Sequence, residues 1–232
     1  MRLAVLLVVV VVLIGCASRE PSPPTVAPAK SPTNQSPATN RIAAAPTRPT
    51  PPGAQQLFDG KTLAGWRISD FAGKGPVRVE NGILILEMGT MTGVTYTNPT
   101  PTMNYEISLD AMRVEGNDFF CGLTFPVGKD PCSLIVGGWG GGVVGLSSLD
   151  GQDAANNETT QYLNFEKGRW YHIRLRVVPN KIEAWIDNDK VVDADTTDRK
   201  ISIRIEVEES RPLGIATWST TAALSNIHVR KL

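Results

Sequence analysis

Glu206 and Glu208 stand two residues apart, with Arg204 two residues before them. If Ile201-Ser202-Ile203-Arg204-Ile205-Glu206-Val207-Glu208 forms a strand, the isoleucines and Val207 face one way and both carboxylates the other. The two carboxyl groups then sit roughly 6.5 Å apart by strand rise. That is near the separation glycosidic hydrolysis uses, where one carboxyl acts as acid and the other as nucleophile or base. A solvated acidic face carrying its own arginine produces the same pattern. The spacing admits both readings.

Two tryptophans are candidate binding platforms. Trp139 lies in Gly137-Gly138-Trp139-Gly140-Gly141-Gly142-Val143-Val144-Gly145, where six of nine residues are glycine. A phosphate loop would need Lys and Ser/Thr directly after the run, and neither follows. Such glycines mark a strand bend where another backbone comes close. They also leave the Trp139 ring free to stack on the flat apolar face of a sugar. Trp185, on the polar side of its expected strand, is the second platform, with a ring covered by Arg174 as the alternative.

Other chemistries find little support. Asp150-Gly151-Gln152-Asp153-Ala154-Ala155-Asn156-Asn157-Glu158 is rich in oxygen ligands and suits Ca2+ or another divalent metal by donor type. Its spacing matches no calcium loop, and a polar surface loop reads the same way. Apart from that loop, no cofactor is expected. His172 and His228 are the only histidines, and no Cys/His spacing builds a zinc site. No Gly-x-Ser-x-Gly elbow and no dinucleotide fingerprint occurs.

The elements that must position these residues are written as strands. Tyr105-Glu106-Ile107-Ser108-Leu109-Asp110-Ala111 alternates apolar and polar, and so does Tyr171 to Val177. Asn81-Gly82, between Val77-Arg78-Val79-Glu80 and Ile83-Leu84-Ile85-Leu86, is a strong hairpin signal. A turn at Pro179-Asn180 sets Arg176 opposite Glu183, Arg174 opposite Trp185 and His172 opposite Asp187, all favourable cross-strand pairs. No window carries a helical stripe of ten or more residues. The expected fold is therefore an all-β antiparallel sandwich. Its core should include Ile107, Leu109, Ile173, Leu175, Ile203, Ile205 and Ile215.

The start of the chain speaks to address. Met1-Arg2 is a short basic start, and residues 3–14 are twelve apolar residues, too few for a spanning helix of about 20. This is a secretory signal, and Leu13-Ile14-Gly15-Cys16 resembles a bacterial lipobox with Cys16 as the lipidated new N-terminus. Residues 1–16 are then the signal peptide. Residues 17–53 hold ten of the seventeen prolines and no aromatic residue, the composition of a disordered tether. Residues 54–232 are long enough for one buried core. They carry a net charge of −4 in a chain that is neutral overall. A mildly acidic domain without a lysine stripe argues against nucleic acid as partner. The expected location is the bacterial cell envelope, anchored to the membrane through lipid and facing periplasm or exterior. An oxidising compartment allows Cys121 and Cys132 to pair, or leaves two buried thiols.

Leu57-Phe58-Asp59-Gly60-Lys61-Thr62-Leu63-Ala64-Gly65-Trp66 resembles the opening of the 3-keto-disaccharide hydrolase domain family. The Asn81-Gly82 hairpin, Trp170-Tyr171, Ile182-Glu183-Ala184-Trp185-Ile186-Asp187, Leu213-Gly214-Ile215-Ala216-Thr217 and Leu224-Ser225-Asn226-Ile227-His228-Val229-Arg230 continue the likeness to the end of the chain. The resemblance implies a concanavalin A-like (laminin-G-like) jelly roll with one concave sheet, and a carbohydrate substrate or ligand. It also implies Asn-Ser-Gly and Glu-x-Gln groups in the groove. Phe119-Phe120-Cys121-Gly122-Leu123 and Cys132-Ser133-Leu134-Ile135-Val136-Gly137 stand there instead. Two functions follow as expectations: a hydrolase acting on 3-keto-disaccharides, or a non-catalytic module that docks to glycan or to an envelope protein. In either case the expected site gathers Trp139, Trp185, Arg204, Glu206 and Glu208 on one polar sheet face.

Overall fold

A computed structural model describes residues 42–232. Cys16, the signal segment and residues 17–41 of the tether lie outside the described residues. The strands, in chain order, are β1 (Gln55–Gln56), β2 (Trp66–Ile68), β3 (Val77–Glu80), β4 (Ile83–Leu86), β5 (Met91–Tyr96), β6 (Tyr105–Gly116), β7 (Cys121–Val127), β8 (Asp130–Gly138), β9 (Val143–Ser147), β10 (Gln161–Tyr162), β11 (Trp170–Val178), β12 (Lys181–Ile186), β13 (Asp189–Asp195), β14 (Leu213–Trp218) and β15 (Thr220–Lys231). One 3-10 helix, Ile205–Ser210, interrupts them.

All pairings are antiparallel and fall into two sheets, as the alternation predicts. The first runs β13-β12-β11-β6-β15-β4-β3 with β1 also paired to β15; the second runs β10-β9-β8-β7-β14-β5-β2. Residues at every second position of both sheets meet between them in one apolar cluster that includes Leu84, Ile107, Leu109, Leu123, Leu134, Ile173, Leu175 and Ile215. Each sheet thus has one face in the core and one face outward.

The hairpins follow the expected registers. Arg174 faces Trp185 and Arg176 faces Glu183. Asn81 and Gly82, both at positive φ, turn β3 into β4 with Glu80 opposite Ile83. A left-handed pair of this kind matches the twist of the flanking strands, and glycine and asparagine adopt it most readily.

Two expectations are corrected, and the open choice for the cysteines is decided. Residues 201–208 are not a strand: Ile201 bridges Leu149, the chain then leaves the sheet, and Ile205–Ser210 coils into the 3-10 helix. Ile205 is accordingly 86% exposed, and Ile203 is only partly buried at the edge of a smaller outer cluster. Cys121 and Cys132 do not form a disulfide. In the β7–β8 ladder Cys121 faces Val136 and Cys132 faces Phe125, a four-residue offset of roughly 13 Å along the strands. A disulfide needs Cα atoms within about 7 Å. Both thiols are buried in the core.

The second correction concerns the end of the tether. Residues 42–53 have no strand or helix, yet residues 42–48 lie against the outward face of the first sheet. Ile42 and Ala45 pack on Ile83, Ile85, Met112 and Ala223. Trp170 Nε1 donates to the Ala43 carbonyl at 3.2 Å, and Asn226 Nδ2 donates to that of Pro46 at 2.8 Å. Arg48 Nε reaches both carboxylate oxygens of Asp110, at 2.7 and 2.9 Å. Asp110 is fully buried, and a buried carboxylate needs such partners. Composition alone hides this, because the contacts are made by a few residues inside a proline-rich run.

Candidate functional site

Along the strands of the second sheet, small residues line one outward row. Gly145 faces Ile135, Ile135 faces Gly122, Gly122 faces Ala216, and Ala216 faces Gly93. The missing side chains leave a hollow that larger groups border. Phe119 lies on Gly122, where a Cβ would stand 3.0 Å from its ring. The 3-10 helix sends Val207 in from the other side, into the same outer cluster as Phe119, Ile135 and Met91. What remains open is a cavity of about 220 Å3. Met91, Phe119, Ile135, Val207 and Trp218 give it apolar walls, Ser133 and Ser147 line it, and Asp118, Trp139, Arg204 and Glu206 add an aromatic and charged border.

Trp139 is carried by the turn between β8 and β9, at φ 47°, and is 45% exposed. Arg113, from the far end of β6, fixes that turn. Its Nη2 donates to the carbonyls of Asp118 (3.2 Å), Gly137 (3.0 Å) and Gly141 (2.8 Å), and the guanidinium stacks over Phe120. The bulge at Gly137, φ 79°, makes room for it. A Cβ there would run into the guanidinium and lie 3.0 Å from Phe120. The glycine run therefore does both things its composition suggests. It lets a buried side chain approach the backbone, and it presents an open indole.

The charged border is ordered by ion pairs. Arg204 Nη2 donates to Glu206 Oε1 at 2.7 Å, and Nη1 reaches Asp153 Oδ2 at 3.0 Å. The Arg204 hydrogen bond holds the Glu206 carboxyl below the usual carboxylate range. Glu206 is therefore ionised at neutral pH: it can accept a proton but not donate one, with its basicity reduced by the Arg204 pairing. Asp118 accepts from the backbone N–H of Phe119 at 2.8 Å and of Gly140 at 3.2 Å, which ties it to the Trp139 turn.

Of the five residues expected at one face, Trp139, Arg204 and Glu206 come together in this cavity. Glu208 does not line it: the 3-10 turn aims it at Arg211, whose Nη1 lies 2.6 Å away. The strand geometry that paired Glu206 with Glu208 is absent. Trp185 belongs to the first sheet, away from the cavity, with the Arg174 guanidinium 4.5 Å and the Lys190 ammonium 5.2 Å from its ring centroid. The joint site of both tryptophans is thus not formed. The oxygen-rich loop spends its carboxylates on arginines, Asp150 and Glu158 on Arg199 and Asp153 on Arg204. Among the described residues no group of three or more His, Cys, Asp or Glu stands together as a metal site. Sequence reasoning missed Asp118, Ser147 and Trp218, which reach the cavity from separate parts of the chain.

Residues 53–230 match the family model described as a 3-keto-alpha-glucoside-1,2-lyase-like domain. Comparison with curated proteins gives no match. Among solved structures, the chain is similar to a candidate glycosyl hydrolase from Parabacteroides distasonis ATCC 8503 (14% identity over 78% of this chain and 94% of that one, TM-score 0.51). It is similar to the carbohydrate-binding module CBM66 from Bacillus subtilis (15% identity, 72% and 96% covered, TM-score 0.50). A third likeness is to a protein of unknown function with a galectin-like fold, also from Bacillus subtilis (10% identity, 77% and 94% covered, TM-score 0.55). At these identities the likenesses speak for the two-sheet sandwich fold alone.

Proposed function

This chain belongs to the 3-keto-alpha-glucoside-1,2-lyase-like domain family, and on that premise we propose that its cavity receives the sugar ring of a 3-keto-glycoside and opens the bond at C1. The observation that carries the reading is the convergence of Trp139, Arg204 and Glu206 around one hollow with apolar walls. Ligand sites generally combine such walls with a few convergent polar groups. A cavity of about 220 Å3 is below the roughly 300–1,000 Å3 of a typical ligand pocket, so it suits one ring with the rest of the glycoside outside.

The ionised Glu206 favours elimination over two-carboxylate hydrolysis. Hydrolysis of an ordinary glycoside needs a protonated carboxyl to release the leaving group, and Arg204 works against protonating Glu206. A ketone at C3 acidifies the hydrogen on C2, and a carboxylate is a competent base for it. Removal of that proton forms the C1–C2 double bond as the C1–O bond breaks. The leaving oxygen takes a proton from water, and the protonated Glu206 returns one to the hydroxide left behind.

A non-catalytic glycan-binding module is the second reading, favoured by one feature: Glu206 is already engaged by Arg204, and Asp118 by two backbone N–H groups. Incubating the domain with a panel of 3-keto-disaccharides, with and without divalent metal, separates the two. Release of the aglycone that Glu206→Gln abolishes supports the enzyme. Affinity without release, unchanged by metal, favours the binding module. Neither affinity nor release removes both.

We further propose that the domain works outside the cytoplasm, lipid-anchored through Cys16; the Leu13-Ile14-Gly15-Cys16 match supports this. Cys16→Ser should shift the protein out of the membrane fraction. Its persistence there would refute the anchor.

A further inference from the structure

Three buried side-chain atoms among the described residues have no hydrogen-bond partner: Arg113 Nε, Ser147 Oγ and Ser210 Oγ. Only Ser147 of these residues lines the cavity. In β9, Val144 and Leu146 point into the core, so Ser147 shares the outward side with Val143 and Gly145. Its cross-strand neighbour is Ser133, and that of Ser133 is Thr124. The hydroxyls of Ser133 and Thr124 bond each other at 2.8 Å. The row of hydroxyls across β7, β8 and β9 therefore ends in one that is left over. Ser147 is only 2% exposed, so it stands in the wall of the cavity rather than on the free surface.

An unpaired buried hydroxyl weakens a fold, and native proteins retain few of them. One standing on the wall of the candidate site has an evident use. We propose that Ser147 is a ligand-binding residue whose hydroxyl bonds an oxygen on the inserted edge of the sugar ring. This rests on the carbohydrate reading of the cavity and adds the ring's orientation to it. The ring enters edge first, with its apolar face against the walls of Phe119, Val207 and Trp218. A serine hydroxyl donates as well as accepts, so it serves either a keto oxygen or a sugar hydroxyl. The border sets Asp118 and Glu206 against the single cation Arg204, which Glu206 and Asp153 already engage, so the class is a neutral sugar.

The test uses calorimetric titration with the methyl C-glycoside of 3-keto-α-glucose, which has no exocyclic oxygen at C1 to expel, and with its 3-hydroxy parent, alongside thermal unfolding. Ser147→Ala should weaken binding by roughly five- to tenfold. It should also raise the melting temperature by about 2–4 °C, because a group without a partner is removed. Ser210→Ala, which removes the other orphan hydroxyl away from the cavity, should raise it similarly and leave binding at the native level. Weakening for the keto sugar alone assigns the contact to the keto oxygen; equal weakening for both assigns it to a shared hydroxyl. Native-like binding by Ser147→Ala overturns the contact and leaves the carbohydrate reading standing. A lowered melting temperature also overturns it, since the hydroxyl is then structural. Failure of the native protein to bind either sugar overturns the reading and the contact together.

Discussion

The two outward faces of the sandwich are made from the same alternation and end in opposite states. On the outward face of the first sheet, the buried carboxylates find partners. Asp110 is held by Arg48, His172 and Asn226, Glu183 by Lys190, and Glu106 by Arg230. Trp185 lies under two cations, and residues 42–48 cover part of the face. On the second sheet, small residues leave a hollow, an indole stands open, and a buried hydroxyl is unpaired. One face is finished as a surface, and the other is left for something to complete. A buried group left unpaired beside a cavity calls for an explanation, and a bound ligand supplies one.

The sharpest way to break this contrast is to damage the closed face. Asp110→Ala removes the acceptor shared by Arg48, His172 and Asn226 and should cost about 2–4 kcal/mol of stability in denaturant unfolding, with sugar affinity unchanged. The acid limb carries a second signature. Burial pushes the Asp110 carboxyl up, but the hydrogen bonds from His172, Asn226 and Arg48 outweigh it, and the group rests below the ordinary value of 3.8. A carboxyl depressed in the folded state contributes stability above its unfolded pKa and loses it as pH falls through the folded one. The native protein should therefore lose this part of its stability below about pH 4, and Asp110→Asn should flatten that part of the curve. A loss of sugar binding in Asp110→Ala at full folding would show that the faces are not independent.

The two tryptophans sharpen the comparison at smaller scale. Trp139→Ala should weaken sugar binding by about tenfold, through loss of its stacking surface. It should change stability by less than about 0.5 kcal/mol, because nearly half of Trp139 is already exposed. Trp185→Ala should do the reverse. It should cost about 0.5–1 kcal/mol from the two cation contacts and leave the titration unchanged. Equal effects of both on binding would contradict the assignment of the site to the second sheet.

How far these differences are legible in the sequence depends on whether the deciding contact is local. The β11–β12 register is readable because a two-residue turn fixes it and the Arg174–Trp185 and Arg176–Glu183 pairs check it. The same alternation misleads at residues 201–208. Beyond Ile201 and Ser202 they pair with no strand, and Ile205 to Ser210 caps the outer hollow as a 3-10 turn. Trp139 is legible from its glycines. Its relation to Arg204 and Glu206 is not, since those residues lie more than sixty positions away and meet only when β8, β9 and the 3-10 helix are assembled. Ser147 carries no sequence signal at all; its interest lies in a hydrogen bond that is not made.

The smallest expected effect is none, and it concerns what joins the two faces. Cys121 and Cys132 lie on neighbouring strands of the second sheet, and neither is bridged. The two sheets are held together by the apolar cluster between them, in which both thiols are packed. A reducing agent should leave the melting temperature unchanged, because there is no cross-link for it to cut. Burial pushes both thiols up to about 12, so at pH 8 roughly one in ten thousand is a thiolate, the form that reacts. Aromatic disulfide reagents should label neither cysteine in the native protein and both after unfolding in denaturant. Rapid labelling of either one while folded, or a melting temperature that falls on reduction, would contradict this register. Without a covalent link, each substitution above reports on its own face, and the stability change at Asp110 is not masked by a bridge that limits the unfolded chain.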